Sequence, residues 1–203
     1  MPRAVGQIDH GKSEAMLDAA SAVISERGLG APVEAIARRA GVSKQTLYNH
    51  FGGKDGLIRA LVRRRVDQMT ASLSDADHFE QPEAALAAYA RALMESVLSA
   101  TSLSVMRVAI HSAIDMPDMA QAFYEAGPVT SRARLAEFLR AETEAGRLDV
   151  DDPALAAELF SAMVNSRQLR ALLGLETPRD EATIRRLSQT IAHRFVRAYA
   201  PKR

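Results

Sequence analysis

The stretch from Val33 to Lys54, VEAIARRAGVSKQTLYNHFGGK, constrains the fold of this chain more than any other segment. It combines an apolar helical pattern, a three-residue break and a short polar helical pattern. This combination is typical of a helix-turn-helix, which lays its second helix in a groove of DNA. The alternative is an ordinary solvated face on a short helix, and the stretch alone leaves both interpretations open.

Apolar spacing and capping residues predict where the two helices of this motif begin and end. In the first helix, apolar residues recur at i, i+3, i+4 and i+7 on one buried face: Val33, Ile36, Ala37 and Ala40. Gly41 can adopt the positive φ that ends a helix, and Ser43 can cap the next one. In the second helix, Leu47 and Phe51 fall on one side, which is predicted to face the core.

The opposite side of the second helix is polar and is predicted to face DNA. It carries Lys44, Gln45, Thr46, Tyr48, Asn49 and His50. Amide side chains can form paired hydrogen bonds with base edges, which makes Gln45 and Asn49 candidate base readers. Lys, Thr, Tyr and His side chains are suited to phosphate oxygens.

Residues 16–61 closely resemble the DNA-binding domain of the TetR family of transcriptional regulators. The matching segments are AMLDAASAVISERG and VEAIARRAGVSKQTLYNHFGGKDGLIRAL, with the run TLYNHF followed by Lys54. The resemblance implies that bases or the adjacent backbone are contacted by Lys44, Gln45 and Tyr48, and phosphates by Thr46, His50 and Lys54. Ser43 is assigned to the same surface. Asn49 is less regularly a base contact in that family, so its role rests on the helical pattern.

The chain departs from the family pattern just before this motif. Family members usually carry Thr-Ser or Thr-Thr there, whereas this chain has Ala31 and Pro32. Pro32 suits a first helical turn, but the hydroxyl that would bind a phosphate is missing. We therefore expect slightly weaker non-specific affinity for DNA.

Composition agrees with an all-α protein, and a cytoplasmic location is expected by default. The chain has 203 residues, 47% of them apolar, and no cysteine, which excludes disulfides and thiolate metal sites. Residues 1–75 carry 11 basic and 8 acidic side chains, although the formal charge of the whole chain is only +1. This asymmetry favours DNA binding by the N-terminal part. No apolar run approaches the roughly 18 residues that span a bilayer, so no membrane partner is expected.

The segment Gly6-x-x-x-x-Gly11-Lys12-Ser13 matches the pattern of a phosphate-binding P-loop. Such a loop needs a β-strand directly before it, and no strand is predicted there or downstream. A P-loop nucleotide-binding protein that uses Gly6–Ser13 is therefore the weaker alternative. Lys12, at the start of the first helix, is expected to favour a nearby DNA phosphate.

Every segment beyond the helix-turn-helix is predicted to be helical. Helices are expected over residues 54–72, 83–100, 103–112, 117–145, 152–174 and 177–200, with a loop over 75–82. The helix over 117–145 should break or kink at Gly127 and Pro128. We predict two domains: a DNA-binding domain over residues 1–55 and a helical effector-binding and dimerisation domain over residues 56–203.

The last two predicted helices carry apolar stripes that favour dimerisation. A short DNA-reading motif gains specificity by pairing across a two-fold axis. TetR-like proteins pair through their final two helices, so the resemblance implies an interface that includes Leu159, Met163, Leu187, Ile191 and Phe195. The same stripes are also compatible with the core of a single subunit. The chain from Met106 onward, less clearly, resembles the AefR-like subgroup of TetR C-terminal domains.

The resemblance further implies a pocket for a small apolar or amphipathic effector. Candidate lining residues are Met94, Met106, Phe123 and Tyr124, with His111, Asn165 or Arg167 as polar anchors. The apolar candidates are equally compatible with plain core. The histidines lack metal-ligand spacing, so no metal, cofactor or catalysis is expected.

Together these observations predict a homodimeric TetR-type regulator, most simply a repressor that a small molecule releases from double-stranded operator DNA. Besides the P-loop alternative, a DNA-binding protein without an effector remains open.

Overall fold

The computed structural model describes residues 10–28, 30–74, 81–114 and 117–201, and within these ranges the chain forms helices and no strand. The predicted all-α class is therefore confirmed. The N-terminal elements are α1 (His10–Arg27), α2 (Val33–Arg39), α3 (Lys44–Phe51) and α4 (Lys54–Thr70), which a 3-10 turn (Ala71–Leu73) extends. The C-terminal elements are α5 (Pro82–Val97), α6 (Ala100–Ser112), α7 (Pro117–Tyr124), α8 (Thr130–Glu144), α9 (Pro153–Asn165), α10 (Gln168–Leu172) and α11 (Glu181–Ala198).

The first three helices and the start of α4 enclose a small core. It is filled by apolar side chains from all four helices: Met16, Leu17, Ile36, Leu47 and Leu57. Gly41 has a φ of 67° between α2 and α3, and Ser43 caps α3, so the predicted turn is confirmed. Because α3 is held by its inner face alone, its outer face remains in solvent.

The α4 helix leaves this core and enters a second, larger one. Val66 and Met69 of α4 belong to that core, whose aromatic centre is the side chain of Phe160. The Phe160 ring stacks at 6.0 Å on Tyr89 of α5 and meets Phe195 of α11 edge-on at 5.0 Å. Each fully buried side chain of this size contributes about 1.5–3 kcal/mol to stability. The α4 helix is thus a continuous element shared by both cores.

The long helix predicted over residues 117–145 is interrupted at the expected place. A π-helical segment, Glu125–Val129, joins α7 to α8 around Pro128. Pro128 has no N–H to donate, and the carbonyl of Glu125 accepts both from the backbone N–H of Thr130 and from its hydroxyl, the latter at 2.8 Å. The segment lies against α4, since a Cβ placed on Gly127 would be 3.2 Å from Cγ1 of Val62.

Several predicted helix bounds were wrong. The helix expected over 83–100 ends at Val97, and the helix expected from residue 103 begins at Ala100. The helix expected over 152–174 stops at Asn165, and a turn at Ser166 and Arg167 separates it from α10. The last helix begins at Glu181 instead of at Thr177 and Pro178. The cause is a better cap further along the chain, where the carboxylate of Asp180 accepts from the backbone N–H of Thr183 at 2.8 Å. Residues 75–80 of the predicted 75–82 loop lie outside the described residues.

The structure contradicts the P-loop alternative. Gly11, Lys12 and Ser13 lie in the first turns of α1, while Gly6 lies outside the described residues. A P-loop is anchored by a parallel sheet, and the described part of the chain contains no strand to form one.

No single helix in the described ranges is long and apolar enough to cross a membrane. The pair Pro82–Val97 and Ala100–His111, bent by 65°, passes that test by length and composition alone.

Candidate DNA-binding surface and effector cavity

The outer face of α3 displays the polar side chains that the sequence assigned to DNA. Tyr48 is 39% exposed and His50 is half-buried, and the remaining members are also exposed: Lys44, Gln45, Thr46 and Asn49. Ser43 fixes the first turn, because its Oγ accepts from the backbone N–H of Thr46 at 3.0 Å and lies 2.8 Å from the Thr46 hydroxyl. The face is therefore presented on a capped and anchored helix.

Two amide side chains on this face form a pair. Nε2 of Gln45 donates to Oδ1 of Asn49 at 2.7 Å, one helical turn away. The bond leaves Oε1 of Gln45 as an acceptor and the amide nitrogen of Asn49 as a donor. Side by side, these are the groups that match base edges in the major groove.

Lys44 is held by a carboxylate of the preceding helix. Its Nζ lies 2.6 Å from Oε1 of Glu34 and 5.5 Å from the centre of the Tyr48 ring. The hydrogen bond between the two charged groups raises the pKa of Lys44 and lowers the pKa of Glu34. Both therefore remain charged around neutral pH. To bind a phosphate, Lys44 must exchange one anion for another.

The two remaining phosphate candidates flank α3 at the starts of neighbouring helices. Nε2 of His50 lies 3.0 Å from Oγ of Ser13 near the start of α1, and Lys54 is the first residue of α4. The N-terminus of a helix carries positive potential and unpaired N–H groups. A phosphate close to either residue would also benefit from that potential.

The junction between α3 and α4 depends on glycine. Gly53 has φ 127° and ψ −170°, a conformation that only glycine adopts without strain. Gly56 lies in the first turn of α4, and a Cβ there would be 1.7 Å from the carbonyl oxygen of Phe51. The end of α3 therefore lies closer to α4 than any side chain at position 56 permits.

A cavity of about 220 Å³ lies along α4, between the DNA-binding helices and the body. Its walls come from α1, α4, α5, α6, α7, the π segment, α8, α9 and α10. The apolar part includes Ile58, Val62, Met69, Val105, Met106 and Phe123. An apolar cavity of about 150 Å³ binds benzene. This cavity thus has room for a small organic molecule.

Three of the six residues predicted to line a pocket reach this cavity: Met106, Phe123 and Asn165. The assignment was wrong for the other three. Met94 is 1% exposed and packs in the body core. His111 is exposed on α6, and Tyr124 is 50% exposed, where its hydroxyl accepts from Nη2 of Arg132 at 2.7 Å. Their helical phase turns them towards the core or the solvent. Arg167 also lies outside the lining, which its neighbour Gln168 joins.

The sequence interpretation missed most of the polar part of the cavity wall. Oγ of Ser161 and Oδ1 of Asn165 are buried and make no hydrogen bond of ordinary geometry to the described residues. Ser161 is still near enough to the Tyr89 hydroxyl to oppose the rise in its pKa that burial causes. Unpaired buried acceptors are rare in folded proteins. The available signal was a pair of polar residues one turn apart on the otherwise apolar inner face of α9.

Arg65 of α4 is a second polar element that the sequence interpretation did not single out. Its Nε donates to Oγ of Ser96 at 2.9 Å, and its Nη2 donates to Oγ of Ser99 at 3.1 Å. Burial lowers the pKa of Arg65, because the charged guanidinium has lost part of its water. The side chain ties α4 to the corner between α5 and α6. Periodicity did not show which arginine of the Arg63-Arg64-Arg65 run reaches the interior.

The residues predicted for a dimer interface divide into three groups. Leu159 and Met163 of α9 are 49% and 38% exposed, and Leu155, one turn before them, is 52% exposed. Leu187 and Ile191 of α11 are half-buried against their own subunit. Phe195 is 3% exposed between the rings of Phe160 and Tyr199, so its assignment to the interface was wrong.

Two domain families match the chain and together cover most of it. Residues 16–61 match the family described as bacterial regulatory proteins, tetR family, and residues 84–201 match the AefR-like transcriptional repressor, C-terminal domain. The chain therefore belongs to the TetR family of transcriptional regulators. Its C-terminal part is of the AefR-like type, which confirms the weaker of the two resemblances.

Solved structures share this fold over nearly the whole chain. A TetR-family regulator from Mesorhizobium loti has a TM-score of 0.75 and 27% identity, covering 94% of this chain and 98% of its own. The flavonoid-responsive regulator FrrA has a TM-score of 0.68 and 28% identity, covering 96% of this chain and 100% of its own. The repressor KstR2 of Mycobacterium tuberculosis is 37% identical over 76 residues, which span 37% of this chain and 38% of that repressor.

Proposed function

We propose that this protein is a homodimeric repressor that binds double-stranded operator DNA through α3 and is released by a small apolar or amphipathic effector. The course of α4 is the observation that carries this proposal. Leu57, in its first turn, packs beneath α3, whereas Val62 and Met69 line the cavity. A molecule in the cavity can therefore act on α3 through a single helix.

On DNA, the exposed face of α3 would enter the major groove. Gln45 and Asn49 would read base edges through their remaining acceptor and donor, with Lys44 and Tyr48 beside them on the backbone. Phosphates would be held by the side chains that flank the helix: Thr46, His50 and Lys54. Ser43 would act by capping α3.

Release would follow from a shift between two body conformations. Two α3 helices can enter successive major grooves only when they lie about 34 Å apart, one turn of the duplex. An effector that binds better to a conformation with another spacing lowers operator affinity by that difference in binding free energy. The cavity wall formed by α4 makes this coupling direct.

Dimerisation would use the exposed stripe on α9. Leu155, Leu159 and Met163 repeat every four residues, and side chains of this size are rarely left in water as a contiguous patch without a partner. Leu187 and Ile191 would widen the contact at its α11 edge.

The similar proteins support both halves of the proposal. KstR2 is named a repressor and matches 76 residues of this chain, and FrrA is named flavonoid-responsive and matches it along its length. We place the protein in the cytoplasm with its operator and expect no enzymatic activity.

The test has three steps on the full-length protein. Selection from random duplex DNA should enrich a two-fold symmetric site, and mass in solution should show one dimer for each such site. A thermal-shift screen of small apolar and amphipathic molecules should then find stabilising compounds, some of which lower operator affinity. Enrichment of no sequence would refute operator binding. Stabilising compounds that leave operator affinity unchanged would instead favour the alternative of a DNA-binding protein without an effector.

A further inference from the structure

We propose that the effector is an anionic amphiphile of about one ring, whose carboxylate is bound by the guanidinium of Arg65 while its apolar part fills the cavity beside Val62, Met106 and Phe123. This inference rests on the proposed function and names the ligand class of the same site. It is carried by the charges of the cavity wall. Among the described residues, three arginines line the cavity, Arg64, Arg65 and Arg132, and no aspartate or glutamate does.

The three arginines differ in how their charge is balanced. Arg64 donates to carboxylates of α1, with Nη1 at 2.9 Å from Glu14 and 2.7 Å from Asp18. Arg132 has a neutral partner, but this contact is exposed to water: it donates to the hydroxyl of Tyr124, which is 50% exposed, and sits 5.3 Å from that ring. Every hydrogen-bond partner of Arg65 among the described residues is neutral: the hydroxyls of Ser96 and Ser99 and the carbonyl of Ser96.

Arg65 is therefore a half-buried cation to which the described part of the chain supplies no counter-ion. Arginine does not lose its proton in proteins, so it cannot relieve this cost by becoming neutral. Its Nη1 makes no hydrogen bond to the described residues, which leaves donors of the guanidinium for a carboxylate oxygen. A carboxylate would supply the missing counter-charge with charge-assisted hydrogen bonds.

The rest of the wall fits the other end of such a molecule. Its side chains are mainly aliphatic, with the ring of Phe123 as the aromatic surface. The volume of 220 Å³ exceeds by a modest margin the roughly 150 Å³ that accommodates benzene. Asp55 and Asp118 line an adjacent smaller cavity of about 110 Å³, and both side chains are exposed. Their charge is consequently better screened by water than that of Arg65.

The experiment compares 3-phenylpropanoate with its neutral amide, 3-phenylpropanamide, by calorimetry on the full-length protein without DNA. The carboxylate should bind at least about 10-fold more tightly than the amide, since a hydrogen bond to a charged group contributes more than a neutral one. Arg65→Gln should weaken binding of the carboxylate by about 10- to 100-fold and binding of the amide by less than about 3-fold. Arg63→Gln, the same charge change on the exposed side of α4, should alter neither affinity.

Arg65→Lys is the control for loss of folding, because it keeps the charge at this position but not the planar guanidinium. It should retain a preference for the carboxylate, and circular dichroism should show unchanged helical content in all variants. Three outcomes would each overturn the proposal. The acid and the amide could bind with equal affinity, or neither could bind up to about 1 mM. The preference for the acid could also be lost in Arg132→Gln instead of in Arg65→Gln. These readouts contain no DNA. A failure of operator release with the predicted binding intact would thus count against the proposed function and not against the anion site.

Discussion

At the scale of single residues, the surface of α3 is already organised before DNA arrives. Gln45 and Asn49 are joined at 2.7 Å, Ser43 caps the helix, and Lys44 is paired with Glu34. Pre-arranged side chains lose little conformational freedom on binding. The roles of these side chains can be tested separately, because the loss of a base reader and the loss of a phosphate binder change DNA affinity differently with salt and with base sequence.

Gln45→Ala should reduce operator affinity by about 1–3 kcal/mol and relax the preference at one or two base pairs in each half-site. The amide of Asn49 loses its partner in the same variant, so the double variant with Asn49→Ala should be less than additive. Selection from a randomised site measures the preference. An unchanged consensus would show that Gln45 reads no base.

Lys54→Ala should weaken binding to operator and to random DNA about equally and reduce the slope of log affinity against log salt by roughly one. The reason is that a phosphate contact releases a counter-ion regardless of base sequence. Titrations over a series of salt concentrations on both DNAs give the slopes. A loss confined to the operator would make Lys54 a base reader.

Glu34→Gln should strengthen binding to random DNA by about 3- to 10-fold, because Lys44 no longer exchanges a carboxylate for a phosphate and a negative charge near DNA is lost. Glu95→Gln is the matched control, since Glu95 pairs with Arg91 at 2.9 Å on α5, away from α3. Equal effects of the two variants would exclude a specific role for the Glu34–Lys44 pair.

At the scale of elements, the position of α3 is fixed by its junction with α4. The Gly53 backbone conformation and the 1.7 Å distance at Gly56 hold the two helices in close contact. On the other side of α4, the π segment approaches Val62 at Gly127. The same helix is therefore tightly packed at its N-terminus and lines a cavity further along. This arrangement is expected of a helix that transmits a conformational change between two sites.

Gly56→Ala should destabilise the protein by about 1–3 kcal/mol or more, because the new methyl overlaps a backbone carbonyl that cannot rotate away. Gly30→Ala is the control, since a Cβ there meets nothing within 4 Å, and it should be neutral or slightly stabilising. Urea unfolding measures both. Equal stabilities of the two variants would mean that α3 can move away from α4 at little cost.

At the scale of the whole molecule, the two subunits would be joined through a surface that is already apolar in the single chain. The exposed stripe on α9 is backed by Phe160, whose ring is fully buried between α5 and α11. A change on the stripe should therefore affect association without disturbing the core behind it.

Leu159→Asp should weaken the dimer by about 2–4 kcal/mol, because it would bury an unpaired charge at the centre of the proposed interface. Helical content should persist, since the side chain is 49% exposed in the single chain. Ile110→Asp is the control, as Ile110 is 59% exposed on α6. Sedimentation equilibrium with circular dichroism makes the measurement, and a Leu159→Asp dimer as stable as the control would place the interface elsewhere.

The sequence by itself determined the helices, the helix-turn-helix and its polar face, because apolar period, capping residues and glycines act over a few residues. Ser43 and Gly41 behave as their local chemistry requires.

Only the tertiary structure decided whether a given apolar or charged side chain lies in the core, in the cavity wall or on the surface. Met94 and Met106 are the same residue type on consecutive helices, yet one fills the core and the other lines the cavity. Phe195 and Leu159 both belong to apolar stripes, but only Leu159 remains open to a partner. A cavity exists where the flanks of several helices fail to meet, and that depends on the arrangement of all of them at once.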